Sequence, residues 1–196
     1  LEVLVRKQRK PEEYKEKIDF CINEVDRLNT LVDQLLLLAR FENQKQTLNL
    51  TSVNLETIIF ECISRNTHEL ENKKINIKTH FEPNSMVQSD IYLLGIVINN
   101  LLSNAIKYSF QNTTVIISTE VENQKVCLKI KNTGETIPSH ELENIFKQFY
   151  RVNPNNPDIK GTGLGLSIVK KLCDLLHIDI TAKTQNNETV FMLTFK

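Results

Sequence analysis

The sequence has no excess of charge of either sign and no long hydrophobic run. Lys and Arg together number 24, as do Asp and Glu, so the composition provides no basic surface of the kind that binds nucleic acid or an anionic membrane. No apolar run approaches the roughly 18 residues that a membrane-spanning helix needs, and the opening residues, LEVLVRKQRK, lack the long apolar core of a signal peptide. We therefore expect no nucleic-acid partner, no membrane contact by the chain itself, and a cytoplasmic location, either alone or as the cytosolic part of a longer protein.

Paired cysteines are also missing. Cys21, Cys62, Cys127 and Cys173 are widely spaced and form no Cys-x-x-Cys pair, which argues against a zinc site and for buried, reduced thiols. Hydrophobic residues nevertheless make up 40% of the 196 residues. That share is enough for one domain of ordinary size with a real core, together with an appendage.

A long amphipathic helix is the first organised element that the sequence predicts. Pro11 followed by Glu12 and Glu13 is typical of a helix start. Apolar residues then recur at steps of three and four, namely Ile18, Ile22, Val25, Leu28, Val32, Leu35 and Ala39. With residues 1–9 as the end of a preceding helix, we expect residues 1–45 to be a helical hairpin of a dimeric four-helix bundle. A helix packed on its own globular domain is the alternative.

Residues 46–196 show mixed helix and strand patterns after the polar stretch FENQKQTLNLTS. Helices are predicted over 52–74 after an extended start, over 89–109 with Ser89 or Asp90 as N-cap, and over 165–176. Strands are predicted over 75–81, as a pair within 114–132, and as a closing hairpin about Asn186 and Asn187. This order predicts an α+β domain, a two-layer sandwich of a mixed β-sheet and three helices.

Two polar features of this domain suggest chemistry. Asn100, Asn104 and Lys107 form a stripe on a helix whose other face is apolar; amide oxygens suit magnesium, and a lysine one turn further can meet a phosphate. Taken alone, such a stripe is also typical of a solvated helix face. In KGTGLGLSIVKKL, glycines alternate directly before a helix, so that backbone amides and the helix N-terminus can approach a phosphate. A flexible loop is the alternative there.

Taken together, the motifs resemble the dimerisation and catalytic region of bacterial sensor histidine kinases, in the ATPase superfamily shared with gyrase and heat-shock chaperones. NNLLSNAIKYS is similar to the N box of that family, NTGETIP to its first glycine box, IFKQFYR to its F box and GTGLGL to its second glycine box. EVDRLNTLVDQLLLLARFE resembles the second helix of the dimerisation hairpin. The four boxes appear in the family's order and the likeness covers nearly the whole chain.

The resemblance implies a site for ATP and Mg²⁺. Asn104, with Asn100 beside it, would bind the metal; Lys107 and Arg151 would face the phosphates as the catalytic pair. Tyr108 would flank the adenine, Asn132 would accept a hydrogen bond from its amino group, and Gly134 would allow close approach to the base. The remaining ATP contacts that the resemblance implies are Ile137, Tyr150, Lys160, Gly161, Thr162, Gly163, Leu164, Gly165 and Leu166.

Two positions depart from the family pattern. Asn132 stands where the family usually has Asp, and Thr136 stands where it has a second glycine. An amide oxygen still accepts the bond from adenine, but without charge assistance.

The motif HELEN occurs at 68–72 and again at 140–144, yet the family's phosphoacceptor histidine lies on the first hairpin helix. We therefore predict that His68 and His140 are surface residues and that no phosphoacceptor lies in this chain.

The implied function is that of a sensor kinase, the cytosolic part of a membrane-anchored sensor. It would transfer the γ-phosphoryl group of ATP to a histidine of the dimerisation helix and then to an aspartate of a response-regulator receiver domain. A degenerate nucleotide-binding module that signals without catalysis is the alternative. A gyrase-type ATPase would need a water-activating acid before the N box, which Glu71 and Asp90 do not clearly provide.

Overall fold

The computed structural model describes residues 10–42, 48–83, 85–122, 125–153 and 161–196. The chain divides into two compact units, Leu1–Gln46 and Thr47–Lys196. The described part of the first unit is a single helix, α1, which spans Pro11–Glu42. No helix among the described residues is long and apolar enough to cross a membrane.

The apolar stripe of α1 is exposed in the single chain. About half or slightly more of the residue surface is open to solvent at each of Ile18, Ile22, Val25, Leu28, Val32 and Leu36. The predicted start at Pro11 is confirmed, with Glu12 and Glu13 in the first turn. The predicted end of a preceding helix, in residues 1–9, lies outside the described residues, as does the side chain of Leu35.

The second unit alternates strands and helices. In chain order its described elements are β1 Leu50–Asn54, α2 Leu55–Arg65, α3 Thr67–Lys73, β2 Asn76–His80, β3 Met86–Asp90, α4 Ile91–Tyr108, β4 Thr114–Glu122, β5 Lys125–Thr133, α5 Gly165–Leu175, β6 Asp179–Gln185 and β7 Glu188–Thr194. Two short 3-10 helices, Ser139–Glu141 and Asn144–Phe146, lie between β5 and α5.

Five strands form the main sheet, in the order β2-β4-β5-β7-β6. β2 runs parallel to β4, and the other neighbours are antiparallel, so the predicted mixed sheet is confirmed. β1 and β3 form a separate antiparallel pair. The closing hairpin turns at Asn186 and Asn187, both with positive φ, a conformation that Asn tolerates better than most residues.

The core lies between the sheet and α4. The predicted apolar stripe of α4 is confirmed: Leu94, Val97, Ile98, Leu101 and Leu102 have no exposed surface. α4 packs against α5 and α2. Burying a side chain of this size is worth about 1.5–3 kcal/mol, so this stripe fixes α4, and everything α4 carries, against the sheet.

Asp90 begins α4. Its carboxylate accepts from the backbone N–H groups of Tyr92 and Leu93, each at 3.1 Å, which is the N-cap arrangement. Of the two predicted caps, Asp90 is therefore the one used. Ser89 lies in β3, with a hydroxyl that is buried and has no partner among the described residues.

Two elements differ from the prediction. The helix predicted over 52–74 is divided at Asn66, whose buried amide donates to the Cys62 carbonyl at 2.8 Å and to Asn99 Oδ1 at 3.0 Å. This side chain competes with the helical backbone and at the same time ties the break to α4. β3 was not predicted, because MVQSD has only two apolar residues and gains its strand structure from pairing with β1.

The four thiols are unpaired. Cys62, Cys127 and Cys173 are buried, as predicted, whereas Cys21 on α1 is only half-buried. Burial raises the pKa of Cys62 to about 11 and that of Cys173 to about 12, because a thiolate is poorly solvated there.

Candidate functional site

The C-terminal half of α4 carries the polar stripe predicted to bind a metal and phosphates. Asn100 is half-buried, and its amide N–H donates to the Ile96 carbonyl at 2.9 Å. The amide oxygen is thereby directed away from that bond, and it lies 2.9 Å from the position that a Cβ on Gly165 would occupy. Asn104, one turn further, is also half-buried. Asn100 therefore faces the beginning of α5.

Side chains added at the glycines of the second glycine box would meet three different groups. A Cβ on Gly161 would collide with the Lys107 ammonium group. Gly163 has φ +74°, and a Cβ there would lie 2.6 Å from the carbonyl carbon of Phe149. Together with the Gly165 contact, these place the second glycine box against the N box on one side and the F box on the other.

The first turn of α5 is held by the side chains of Thr162 and Ser167. The Leu164 backbone N–H donates to Thr162 Oγ1 at 3.2 Å, and Ser167 Oγ donates to the Leu164 carbonyl at 2.8 Å. Leu164 is fully buried, while Leu166 is half-buried. The buried leucine anchors the start of the helix, whose N-terminus is a favourable position for an anion.

Gly134 meets the end of α4. A Cβ on it would collide with the Tyr108 carbonyl oxygen, and the neighbouring Ser109 forms an isolated antiparallel bridge with Gly134. The Gly134 N–H donates to the Asn187 carbonyl at 2.8 Å. The structure thus provides a reason for glycine here that the sequence did not: the backbone of α4 passes too close for a side chain.

The two residues that depart from the family pattern lie beside Gly134. Asn132 is 2% exposed on β5, and its amide nitrogen is 3.3 Å from the position of a Cβ on Gly134. Thr136 Oγ1 donates to Asn187 Oδ1 at 3.1 Å. The threonine that replaces the usual glycine therefore joins this loop to the β6–β7 turn.

The Lys107 ammonium group lies over the Tyr108 ring at the end of α4. The Lys107 ammonium group is 5.3 Å from the centroid of the Tyr108 ring, within range of a cation–π contact. Burial raises the pKa of Tyr108, and the Arg151 charge opposes that shift. The charge of Arg151, in the F box, therefore acts on the Tyr108 hydroxyl.

The F box is held by hydrogen bonds around Glu141. The Tyr150 hydroxyl donates to the Glu141 carboxylate, as does the Asn144 amide at 3.2 Å. The bond with Tyr150 lowers the pKa of Glu141 and raises that of Tyr150. Phe149 has φ +60° and is 61% exposed.

The structure brings Asn100, Lys107, Gly161 and Gly165 together, and Tyr108 with Gly134. Ile137 is half-buried in the loop after β5, and Lys160 lies outside the described residues. His68 and His140 are both exposed. An open cavity of about 430 Å³ is lined by residues of α3 and β2 and by Asn112, none of which belongs to the predicted set.

Sequence reasoning missed the connections made by Lys73 and Asn187. Lys73 donates to carbonyls at the end of α4, and Asn187 binds the loop of Gly134. Lys73 lies in no recognised motif and Asn187 was predicted only as a turn residue, and both act through contacts between segments far apart in the chain. No local signal could have identified them.

Comparison with known proteins gives a family. The family model described as histidine kinase-, DNA gyrase B- and HSP90-like ATPase matches residues 89–196. The chain is 30% identical to the sensor protein CopS of Pseudomonas syringae pv. tomato, over 85% of this chain and 34% of CopS. It is 29% identical to the sensor protein kinase GraS of Staphylococcus aureus, over 93% of this chain and 53% of GraS. The chain therefore spans between a third and about half of these relatives.

Solved structures show the same fold. The histidine kinase AdeS of Acinetobacter baumannii aligns over 99% of this chain and 88% of its own, with a TM-score of 0.80 and 24% identity. The histidine kinase ThkA, in complex with the response regulator protein TrrA, aligns over 97% of this chain and 53% of its own, with a TM-score of 0.77 and 27% identity. With the four boxes placed as described, the chain belongs to the histidine kinase-, DNA gyrase B- and HSP90-like ATPase family and carries a catalytic ATP-binding domain of the sensor histidine kinase type.

Proposed function

We propose that this chain binds Mg-ATP between α4 and the segment 161–165 and serves as the phosphoryl-donating part of a sensor histidine kinase. One observation carries the proposal: the Asn100 oxygen and the Lys107 ammonium group face Gly165 and Gly161. A metal ligand and a phosphate-binding cation thus meet a glycine-rich backbone at the start of a helix, the combination that phosphate chains favour.

The donor set suits magnesium. No group of three or more His, Cys, Asp or Glu that could hold a metal occurs among the described residues, so the protein ligands would be the amide oxygens of Asn104 and Asn100. Mg²⁺ binds through few protein oxygens and takes the rest of its ligands from phosphates and water. When bound, the ion would neutralise charge on the phosphate chain.

The other residues would orient the nucleotide. Lys107 and Arg151 would neutralise phosphate charge, and Tyr108 would cover one face of the adenine. The Asn132 oxygen would accept from the adenine amino group. These residues would position the nucleotide and neutralise its charge, and these two effects supply most of the catalysis in phosphoryl transfer.

The phosphoryl group would pass to a histidine on the first helix of the dimerisation hairpin and then to a response-regulator aspartate. The transfer breaks the bond between the γ-phosphorus and the bridging oxygen, leaves ADP, and forms a phosphorus–nitrogen bond on the imidazole. ThkA in complex with TrrA supports such a partner. His68 and His140 would not accept, because both lie outside the hairpin helix on which the family carries its acceptor.

Titration calorimetry tests the nucleotide site. Asn104→Ala removes the proposed metal ligand, so magnesium-dependent ATP affinity should fall by about tenfold or more, the factor for 1.4 kcal/mol. Asn76→Ala, an exposed position on β2, is the matched control and should bind as the unsubstituted chain does. Unchanged magnesium-dependent binding in Asn104→Ala would end the assignment.

Labelling with γ-labelled ATP tests the transfer. The chain alone should remain unlabelled, and it should label a supplied dimerisation hairpin that carries an acceptor histidine. Acid-labile phosphate on His68 or His140 would overturn the placement of the acceptor.

We further propose that the chain dimerises through the hairpin that includes α1. The half-exposed stripe from Ile18 to Leu36 is the supporting observation, because a dimeric four-helix bundle would bury it. Sedimentation of a protein with the complete hairpin should give a dimer, and a strict monomer there would rule the arrangement out.

The alternative, a module that binds nucleotide poorly and signals by helix movement, is favoured by one contact. Thr136 bonds to Asn187, which ties down a loop that the family builds with a second glycine. Calorimetry decides between the two: absence of Mg-ATP binding in a folded, dimeric protein would support the alternative.

A further inference from the structure

Lys73, the last residue of α3, contacts the C-terminal end of α4. Its ammonium group is 3.2 Å from the carbonyl oxygen of Ile106 and 3.2 Å from that of Ser109, and it also donates to the Lys107 carbonyl. An ammonium group has three N–H donors, so one turn of backbone accepts all of them. The last carbonyls of a helix lack intrahelical partners and carry the negative end of its dipole, which makes a cation stabilising there.

The backbone on both sides of Lys73 is held by hydrogen bonds. The Lys74 N–H donates to the Glu71 carbonyl at 3.0 Å, and the Asn112 N–H donates to the Lys73 carbonyl at 3.1 Å, so the backbone is held on both sides. Burial lowers the pKa of the Lys73 ammonium group, an effect that the Glu69 carboxylate opposes. A partly desolvated charge needs its hydrogen bonds, and the end of α4 provides them.

The turn held by Lys73 is the one from which the proposed nucleotide contacts extend. Lys107 and Tyr108 project from it, and Ser109 connects it to Gly134. The Lys107 ammonium group lies against Gly161, so a shift of this turn would move contacts in both glycine boxes.

We propose that Lys73 is a positioning residue of the nucleotide site. By fixing the last turn of α4 through three carbonyl oxygens, it sets where Lys107 and Tyr108 meet the nucleotide. This inference rests on the proposed function, because it requires that those two residues contact ATP.

Lys73→Met is the test, since methionine keeps an unbranched stem and removes the ammonium group. Lys74→Met is the matched control, because it makes the same change at the adjacent exposed position. In calorimetry with Mg-ATP, with folding checked by circular dichroism, Lys73→Met should bind about tenfold more weakly, the factor for 1.4 kcal/mol. Lys74→Met should bind normally, and Lys73→Arg, which keeps the charge and the donors, should recover most of the affinity.

If Lys73 only stabilised the fold, Lys73→Met would lower the free energy of unfolding and leave the ATP affinity of the folded protein unchanged. A folded Lys73→Met that binds as tightly as the unsubstituted chain would therefore overturn the proposal. If Lys73→Met does not fold, Lys73→Gln is titrated in its place with the same criterion.

Amide hydrogen exchange without nucleotide separates this inference from the proposed function. Exchange at Ser109 and Phe110 should be faster in Lys73→Met and unchanged in Lys74→Met, because the turn loses its anchor only in the first variant. Unchanged exchange in both would overturn the inference even if ATP binds. Absence of ATP binding by the unsubstituted chain would instead overturn the proposed function, and faster exchange would still support Lys73 as the anchor of the turn.

Discussion

The two glycine segments, NTGETIP and GTGLGL, both contain Thr-Gly but differ in what Gly134, Gly161 and Gly165 face. Gly134 faces the Tyr108 carbonyl oxygen, a backbone atom fixed by α4. Gly161 and Gly165 face the ends of two side chains, those of Lys107 and Asn100. A backbone atom cannot move aside without moving its helix, whereas a side chain can rotate. We therefore expect Gly134 to matter for the fold, and Gly161 and Gly165 to matter for the proposed nucleotide site.

The largest effect is expected at Gly134. Gly134→Ala forces the end of α4 or the end of β5 to shift, and we expect a loss of about 3 kcal/mol in the free energy of unfolding, at the upper end for overpacking. Urea denaturation measures it. Gly95→Ala is the control: a Cβ there meets open space on α4, and alanine should stabilise the helix by about 0.5–1 kcal/mol. If Gly134→Ala lowered the free energy of unfolding by less than about 1 kcal/mol, the idea that Gly134 is needed for the fold would be wrong.

The second-largest loss in the free energy of unfolding is expected for Gly163→Ala. Its positive φ costs an alanine about 1–2 kcal/mol, and the new Cβ would also meet the Phe149 backbone at 2.6 Å. Comparison with Gly163→Asn separates the two causes, because asparagine tolerates this φ better. Equal losses of stability would identify the Phe149 contact as dominant, and we expect that result. A much smaller loss for asparagine would identify backbone strain instead.

Gly165→Ala should leave the free energy of unfolding nearly unchanged and weaken the binding of Mg-ATP. Alanine is a better helix former than glycine at the start of α5, so stability should change by less than about 1 kcal/mol. The Cβ would displace the Asn100 amide, and Mg-ATP affinity should fall by about tenfold if that oxygen holds the metal. Calorimetry and urea denaturation on the same variant measure both. Normal affinity would show that the Asn100 position is not critical.

Asn132→Asp tests the first segment for nucleotide recognition, with the smallest expected effect. A charge-assisted bond to the adenine amino group would gain about 1 kcal/mol and tighten ATP by up to roughly tenfold. Selectivity against GTP should rise, because guanine presents a carbonyl where adenine has its amino group. Asn132 is 2% exposed, so an unpaired carboxylate would instead weaken binding or the fold. Titration with ATP and GTP distinguishes these outcomes.

The sequence predicted the elements whose causes are local. The apolar period of α4, the cap at Asp90 and the two-Asn turn of the last hairpin each depend on residues within a few positions, and each was found. β3 was missed because its strand structure depends on pairing with β1. The break at Asn66 was missed because its amide has partners in two helices.

The same distinction applies to the site. The boxes could be located from sequence, and the proximity of α4 to the second glycine box agrees with them. The reason for Gly134 could not be predicted, because its contact with Tyr108 arises only when α4 and β5 are packed together. Lys73 and Ile106 are likewise far apart in the chain, so their hydrogen bond cannot be predicted from the periodicity of the sequence.

The burial of three thiols makes the chain suitable for selective labelling. Cys62, Cys127 and Cys173 are enclosed, and the raised pKa values of Cys62 and Cys173 leave almost no thiolate at neutral pH. Cys21, half-buried on α1, is the most accessible of the four. A maleimide dye at neutral pH should therefore mark α1 alone, so that movements of the helical unit can be followed by fluorescence without replacing any residue.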